Sequence, residues 1–294
     1  MTTDVLTRPA TATATPAQRS MSPEVKRRLI AFACVLVTAV SLIPVVMMLL
    51  VGLQSDEESM AATPSLWPTT WHWENLGRAF DLVPLGRYLL NTVIFAGGTT
   101  ILETITAALA AYAFARLRFR GRDALFAVYL GTLMIPHQVT LVPQFVLVAR
   151  LGLVDTWPGM ILPHAFTAIG VFLLRQFFMG IPRDYEDAAR IDGANRWQAF
   201  VKIIVPLAVP AIATLAVFKF IGQWNNFLWP LVISNSDATR TVAVGLRAFQ
   251  DTNGTQWNLL LMAATVTTVP LIIIFFLTQR WFVRGITMSG LGGR

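Results

Sequence analysis

Apolar residues in this chain come in long runs, not in alternation. The first runs from Leu29 to Leu53, with Pro44 inside it as a predicted kink. Five more follow at about Tyr88–Phe114, Ala124–Val148, Gly159–Met179, Val209–Ile233 and Trp257–Thr278. Each is near or above the roughly 20 residues an α-helix needs to cross a bilayer. The pattern therefore predicts an all-α, polytopic membrane protein with six transmembrane helices. Ahead of it, Met1–Ser22 is rich in Thr, Ala and Pro and cannot bury a core. The expected division is a disordered tail over 1–28, a six-helix domain over 29–284 and a C-terminal tail over 285–294. The first run is too long for a signal peptide and lacks a small-residue cleavage site, so it reads as a retained span.

The polar connections are unequal. One set holds Arg8, Arg19, Lys26–Arg28, Arg116, Arg118, Arg120, Arg122, Arg175, Arg183, Arg190, Arg196, Lys202, Arg280, Arg284 and Arg294. The other holds Arg78, Arg87, Arg150, Arg240 and Arg247. Basic connections stay on the cytoplasmic side, which predicts both termini inside. On that side lies the most charge-dense stretch, Pro182–Pro206. Pro182 suits a first helical turn, Asp184 an N-cap, and Asp187 the positive end of the helix. Gly193 falls where a left-handed C-cap belongs. Asn195 can cap a second helix whose apolar residues Trp197, Phe200, Val201 and Ile204 recur at helical spacing. A loop lying on the membrane surface would carry the same amphipathic pattern.

Composition narrows the chemistry. The chain is 55% hydrophobic and 13% charged, about half the charge of a soluble domain. Its net charge of +7 is spread over helix ends without an interleaved aromatic patch, which argues against nucleic acid. Cys34 is the single cysteine, and His72, His137 and His164 are far apart without a H-E-x-x-H pattern, so no metal or catalytic set is read. None of Lys26, Lys202 and Lys219 follows a glycine, so there is no P-loop. Glu103 and Lys219 fall inside spans, where they can pair, snorkel or lose charge. Gln223, Trp224, Asn225 and Asn226 combine amides with a flat aromatic face, as sugar binding requires. The same residues could hydrogen-bond helices together. Pro230 predicts a local break there, and His137 and Gln144 near Pro136 form a second, weaker set.

The Pro182–Pro206 stretch resembles the EAA motif of ABC importer permeases, E-A-A-x3-G-x9-I-x-L-P. It reads Asp187-Ala188-Ala189, Gly193, Ile203, Val205, Pro206, with Asp187 for the Glu and Val205 for the Leu. Further strings are similar to the smaller, maltose-type permease subunit of carbohydrate importers. They are Ile135-Pro136, Leu151-Gly152-Leu153, Phe172–Phe177, Gln223–Pro230 and the tail Gln279–Gly285. The resemblance implies a type I ABC importer permease fold in a bacterial or archaeal cytoplasmic membrane. Loop 181–208 would seat in an ATPase groove through Glu186, Asp187, Ala188, Ala189, Asp192 and Gly193. The carbohydrate would pass Gln223, Trp224, Asn225, Asn226, His137 and Gln144. The implied partners are a second homologous permease, two ATPase subunits and an extracytoplasmic solute-binding protein, besides lipid and substrate. The binding protein would dock on the outward loops Gln54–Gly86 and Ser234–Gln256, although Trp67, Trp71 and Trp73 also fit an interfacial aromatic belt. ATP and Mg would be bound by the ATPase, leaving no cofactor and no catalysis on this chain. The rival reading, an ion-coupled secondary transporter, requires carboxylates in several spans, and Glu103 is the one clear case.

Overall fold

The computed structural model describes residues 22–61, 65–251 and 254–290, with backbone only for Asp251 and 280–290. Most of the expected N-terminal tail, the last four residues and the side chains of the Arg280–Gly285 string lie outside the described residues. The first helix, α1 (Pro23–Gly52), takes in Pro23–Arg28, which the sequence assigned to the tail. Pro23 opens it, where a missing N–H costs nothing, and Ser22 Oγ accepts from Val25 N at 3.5 Å. The helix continues through Pro44. By contacts the chain falls into two units, residues up to Val46 and those from Met47 onward.

In the second unit, α2 (Asp56–Ser59) starts with a capping box in which Ser55 and Glu58 bond each other's backbone. α3 (Asn75–Leu82) follows, then α4 (Leu85–Arg116), an unbroken 32-residue helix. At about 1.5 Å per residue it is roughly 48 Å long. Three long helices, α1, α4 and the Trp257–Gln279 part of the last helix, are apolar enough to span alone. The remaining spans are bent pairs, giving up to six among the described residues.

Each bend has a local cause. α5 (Arg122–Gly131) with its 3₁₀ extension Thr132–Met134 meets α6 (His137–Arg150) at 99°, so the span expected over Ala124–Val148 is sharply broken at Pro136. Ile135 is extended (ψ 114°) because it precedes Pro136. α7 (Trp157–Ile161), extended by Leu162–His164, meets α8 (Ala168–Gly180) at 51°, and Thr167 caps the restart by accepting from Gly170 N. α9 (Asp184–Ile191) and α10 (Arg196–Ala199) make up the charged loop. A π-turn, Phe200–Ile204, leads into α11 (Val205–Leu207), where Pro206 lacks the N–H that a regular helix would need. This arm meets α12 (Val209–Trp224) at 75°. The chain breaks again at Asn225–Phe227, ahead of Pro230 in α13 (Leu228–Ile233), as the sequence suggested.

α4 is the central post of this unit. Ala107, Ala108, Ala111 and Ala115 give it a small-residue face that lets α8 and α12 come close. At Gly170 of α8 a Cβ would sit 3.2 Å from Leu215 of α12 and 3.4 Å from Ala107, so the three helices meet there. On the opposite end, Gly52 lets α1 touch the backbone at Met262 of α15 (Trp257–Gly290). α14 (Val242–Gly245) and a two-residue-per-strand hairpin, Gln250–Asp251 with Gly254–Thr255, complete the connections.

Candidate functional site

Two groups of predicted residues are set by this architecture, one in the charged loop and one within the spans. The loop helix α9 starts one residue early. Arg183 already has helical angles, and its carbonyl accepts from Glu186 N and Asp187 N. Asp184 is therefore the first helical residue and caps nothing, which corrects its expected role. At the other end Gly193 has φ +83°, and Ala194 N reaches back to Ala189 O at 2.8 Å in a Schellman closure. Asn195 then caps α10 in a reciprocal box with Gln198.

That start fixes the phase of α9. Glu186 turns inward: its carboxylate meets Arg116 Nε at 2.9 Å, with side-chain exposures of 6% and 4%. The contact is ionic, since neither atom makes an aligned hydrogen bond. Asp187, the motif's acid, is exposed and pairs with Arg190 at 3.2 Å. Ala188, Asp192 and Gly193 are exposed and Ala189 half-buried. The outer surface also carries Tyr185 and Ile191, two apolar residues the sequence pattern did not single out, the latter 87% exposed, and Trp197 of α10 is exposed as well. Tyr185 and Ile191 were visible as bulky residues in an otherwise polar helix. Between α9 and the end of α4 a 370 Å³ recess is walled by Arg116, Arg118, Arg183, Arg190 and Arg196 together with Glu186 and Asp187. Arg118 and Arg183 also share a second recess with Arg122, so two connections placed on one side by charge do lie together.

Within the spans, Lys219 Nζ of α12 lies 3.1 Å from Glu103 Oε1 of α4. One turn on, Gln223 faces the same carboxylate. Asn226 Nδ2 donates to Gln223 Oε1 at 3.0 Å and lies 3.4 Å from His164 Nε2. The His137 and His164 rings are 5.9 Å apart, and Gln144 Nε2 reaches Pro163 O at 3.4 Å. The two sets expected separately thus form one polar cluster, joined through His164, which the sequence reading discounted as a lone histidine. Its neighbour Pro163, at a break within a span, was the available clue. Glu103 Oε2, His164 Nδ1, Gln144 Oε1 and the hydroxyls of Thr99, Thr100 and Thr104 are buried without a hydrogen-bond partner among the described residues. Such a belt can take hydroxyl groups or water.

Trp224 and Asn225 do not join the cluster. Trp224 is buried against Phe220, with ring centroids 5.6 Å apart, and Asn225 Nδ2 bonds Ile221 O at its own helix end. Trp229 is fully buried, its indole donating to Met160 O. No three metal-ligating side chains converge among the described residues.

The outward connections are tied together. Arg78 clasps Asp56, which also accepts from Asn258, and these partners hold the Asp56 carboxyl below the usual range. Asp155, in the left-handed region at φ +58°, accepts from Asn235 N, Ser236 N and the Thr239 hydroxyl. Trp67, Trp71 and Trp73 are exposed and in mutual ring contact.

Residues 103–288 match the family described as the binding-protein-dependent transport system inner membrane component, and the match takes in the loop and the cluster together. The chain belongs to this family. Among the permease's relatives is the sn-glycerol-3-phosphate transport system permease protein of Yersinia pestis, 37% identical over 228 residues, 77% of this chain and 81% of that protein. The arabinooligosaccharides transport system permease protein of Halalkalibacterium halodurans is 37% identical over 203 residues, 69% and 73% of the respective chains. A solved bacterial ABC transporter involved in alginate import aligns with a TM-score of 0.77 over 90% of this chain and all of that chain, at 23% identity. The permease therefore has the type I importer fold and is the multi-pass membrane component of a binding-protein-dependent importer.

Proposed function

We propose that the permease carries a carbohydrate into the cytoplasm as the smaller membrane subunit of an ATP-driven importer. In this reading both termini are cytoplasmic. A second, homologous permease completes the path, two ATPase subunits bind ATP and Mg below it, and an extracytoplasmic binding protein delivers substrate onto the outward loops. Closure of the ATPases draws α9 and its counterpart together and opens the spans outward; hydrolysis resets them. The names of the relatives, which include an arabinooligosaccharide permease, support the substrate class. The belt of unpaired hydroxyl, amide and imidazole groups around Gln223, Asn226, His137 and Gln144 supports a path for a polyhydroxylated solute.

The observation that carries the ATPase contact is the outer face of α9. A short polar helix that exposes Ile191 at 87% and also Tyr185, followed in α10 by the exposed Trp197, has the makeup of an interface anchor. Residues Asp187, Ala188, Asp192 and Gly193 of the motif share that outer surface. Ile191→Arg is expected to insert normally while recovery of the ATPase with the purified permease falls at least about tenfold, the loss of an anchor worth more than ~1.4 kcal/mol. Full ATPase recovery with this variant would refute the reading.

A further inference from the structure

The inward side of α9 has a different task from the outward side. Arg116 is the last residue of α4. Its Nε meets Glu186, and its second guanidinium nitrogen donates to Phe178 O and Ile181 O, both at 2.6 Å. Those carbonyls lie at the end of α8, where Phe178 O also accepts from Ile181 N. One side chain thus joins the ends of α4 and α8 to the first turn of α9. A turn earlier on α4, Tyr112 donates to Arg196 O at 3.2 Å, at the start of α10. Both helices of the loop are therefore fastened to the same post.

Stability alone does not call for this arrangement. A pair this deeply buried gives up hydration that its mutual attraction barely returns, and apolar residues of like size would serve folding as well. The planar guanidinium is needed instead because one rigid group must hold two carbonyls by hydrogen bonds while its Nε faces a carboxylate, which an ammonium cannot do in a fixed plane. The solvent-exposed Asp187–Arg190 pair makes no such link.

We propose that Arg116 and Glu186 are positioning residues that make α9 move as one body with α4 and α8, so that displacement of the loop reaches the spans undiminished. The proposal rests on the coupling reading of α9 given above. It is tested on the full complex in nanodiscs by measuring ATP hydrolysis with and without the extracytoplasmic binding protein that copurifies, read as the ratio of stimulated to basal rate per assembled complex. Glu186→Gln and Arg116→Lys are expected to lower that ratio roughly tenfold, a loss equivalent to ~1.4 kcal/mol of positional preference. Glu186→Asp, which keeps the charge, should lose less. If these variants lower only melting temperature or yield and the assembled complexes keep the wild-type ratio, the pair is merely structural and the proposal fails. Where Glu186→Gln does not assemble, Arg116→Lys and Glu186→Asp decide it by the same ratio. Ile191→Arg separates the two ideas. Release of the ATPase by Ile191→Arg with full stimulation in Glu186→Gln refutes the strut and leaves the coupling reading standing. Retention of a stimulated ATPase by Ile191→Arg refutes both.

Discussion

Removing Lys219 should damage this protein more than removing the acid it pairs with. At 3.1 Å the Glu103–Lys219 attraction is about 5 kcal/mol at an effective dielectric near 20. Most of this offsets the desolvation of the carboxylate, whose side chain is 4% exposed and whose second oxygen already lacks a partner. Lys219→Met therefore leaves a buried charge without compensation, and the expected cost is about 3 kcal/mol. Glu103→Gln leaves an ammonium on a four-carbon stem that is 21% exposed and can swing toward water, so about 1 kcal/mol is expected. The double variant should cost about 2 kcal/mol where the two single losses sum to about 4, a coupling energy of about 2 kcal/mol in the cycle. Unfolding in mixed micelles with increasing SDS, followed by tryptophan fluorescence, gives all four stabilities. Equal losses for the two single variants, or strict additivity in the double, would refute the assignment of Glu103 as the trapped partner.

Two further outcomes follow from single residues. A Cβ on Gly193 would meet nothing within 4 Å, so Gly193→Val costs only the left-handed backbone, about 1–2 kcal/mol; it should insert normally yet lose binding-protein-stimulated ATP hydrolysis, while Gly193→Asn retains it. On the outward side, the Asp56 carboxyl is held below its ordinary 3.8 by hydrogen bonds from Arg78 and Asn258, so its contribution is complete above pH 3.8 and lost as pH falls through the depressed value. Hydrogen exchange at α2 and α3 should therefore stay constant from pH 7 to about 5, after correction for intrinsic rates, and accelerate below pH 4 in wild type but not in Asp56→Asn.

Features governed by neighbours in the chain were legible in the sequence. The Gly193 cap, the Asn195 box and the break before Pro230 depend on a few consecutive residues, and each is where the pattern put it. The 99° bend at Ile135–Pro136 was legible as a break but not in size, because an apolar run looks the same whether it is straight or folded back. The separate roles of neighbouring acids in α9 were not legible for a related reason. Glu186 and Asp187 were grouped together in the loop, yet successive residues of a helix point about 100° apart, and what turns Glu186 inward is Arg116 from a distant helix. His164 lies beyond any local rule, since its partners come from α6 and from the end of α12.

The two candidate regions also share a frame that no motif reveals. Glu103 and Arg116 lie on one uninterrupted helix, 13 residues apart (116 minus 103), or about 20 Å along its axis. α4 contains no proline and no break, whereas three of the neighbouring spans bend by 51°, 99° and 75°. In the proposed coupling, a displacement entering at α9 would be passed by Arg116 to an unbroken helix, and flexing would fall where helices are already broken. Those breaks are Ile135–Pro136, Ala165–Thr167 and Ala208, and the first two flank His137 and His164 of the polar cluster. The cluster is thus built across the joints that would move, with Glu103 fixed to the post and His137, His164 and Lys219 carried by the jointed spans. Rocking the jointed spans against α4 would change the spacing of these groups without any side chain leaving its rotamer. A fixed carboxylate opposite movable amides and imidazoles is a geometry that can bind in one state and release in the other.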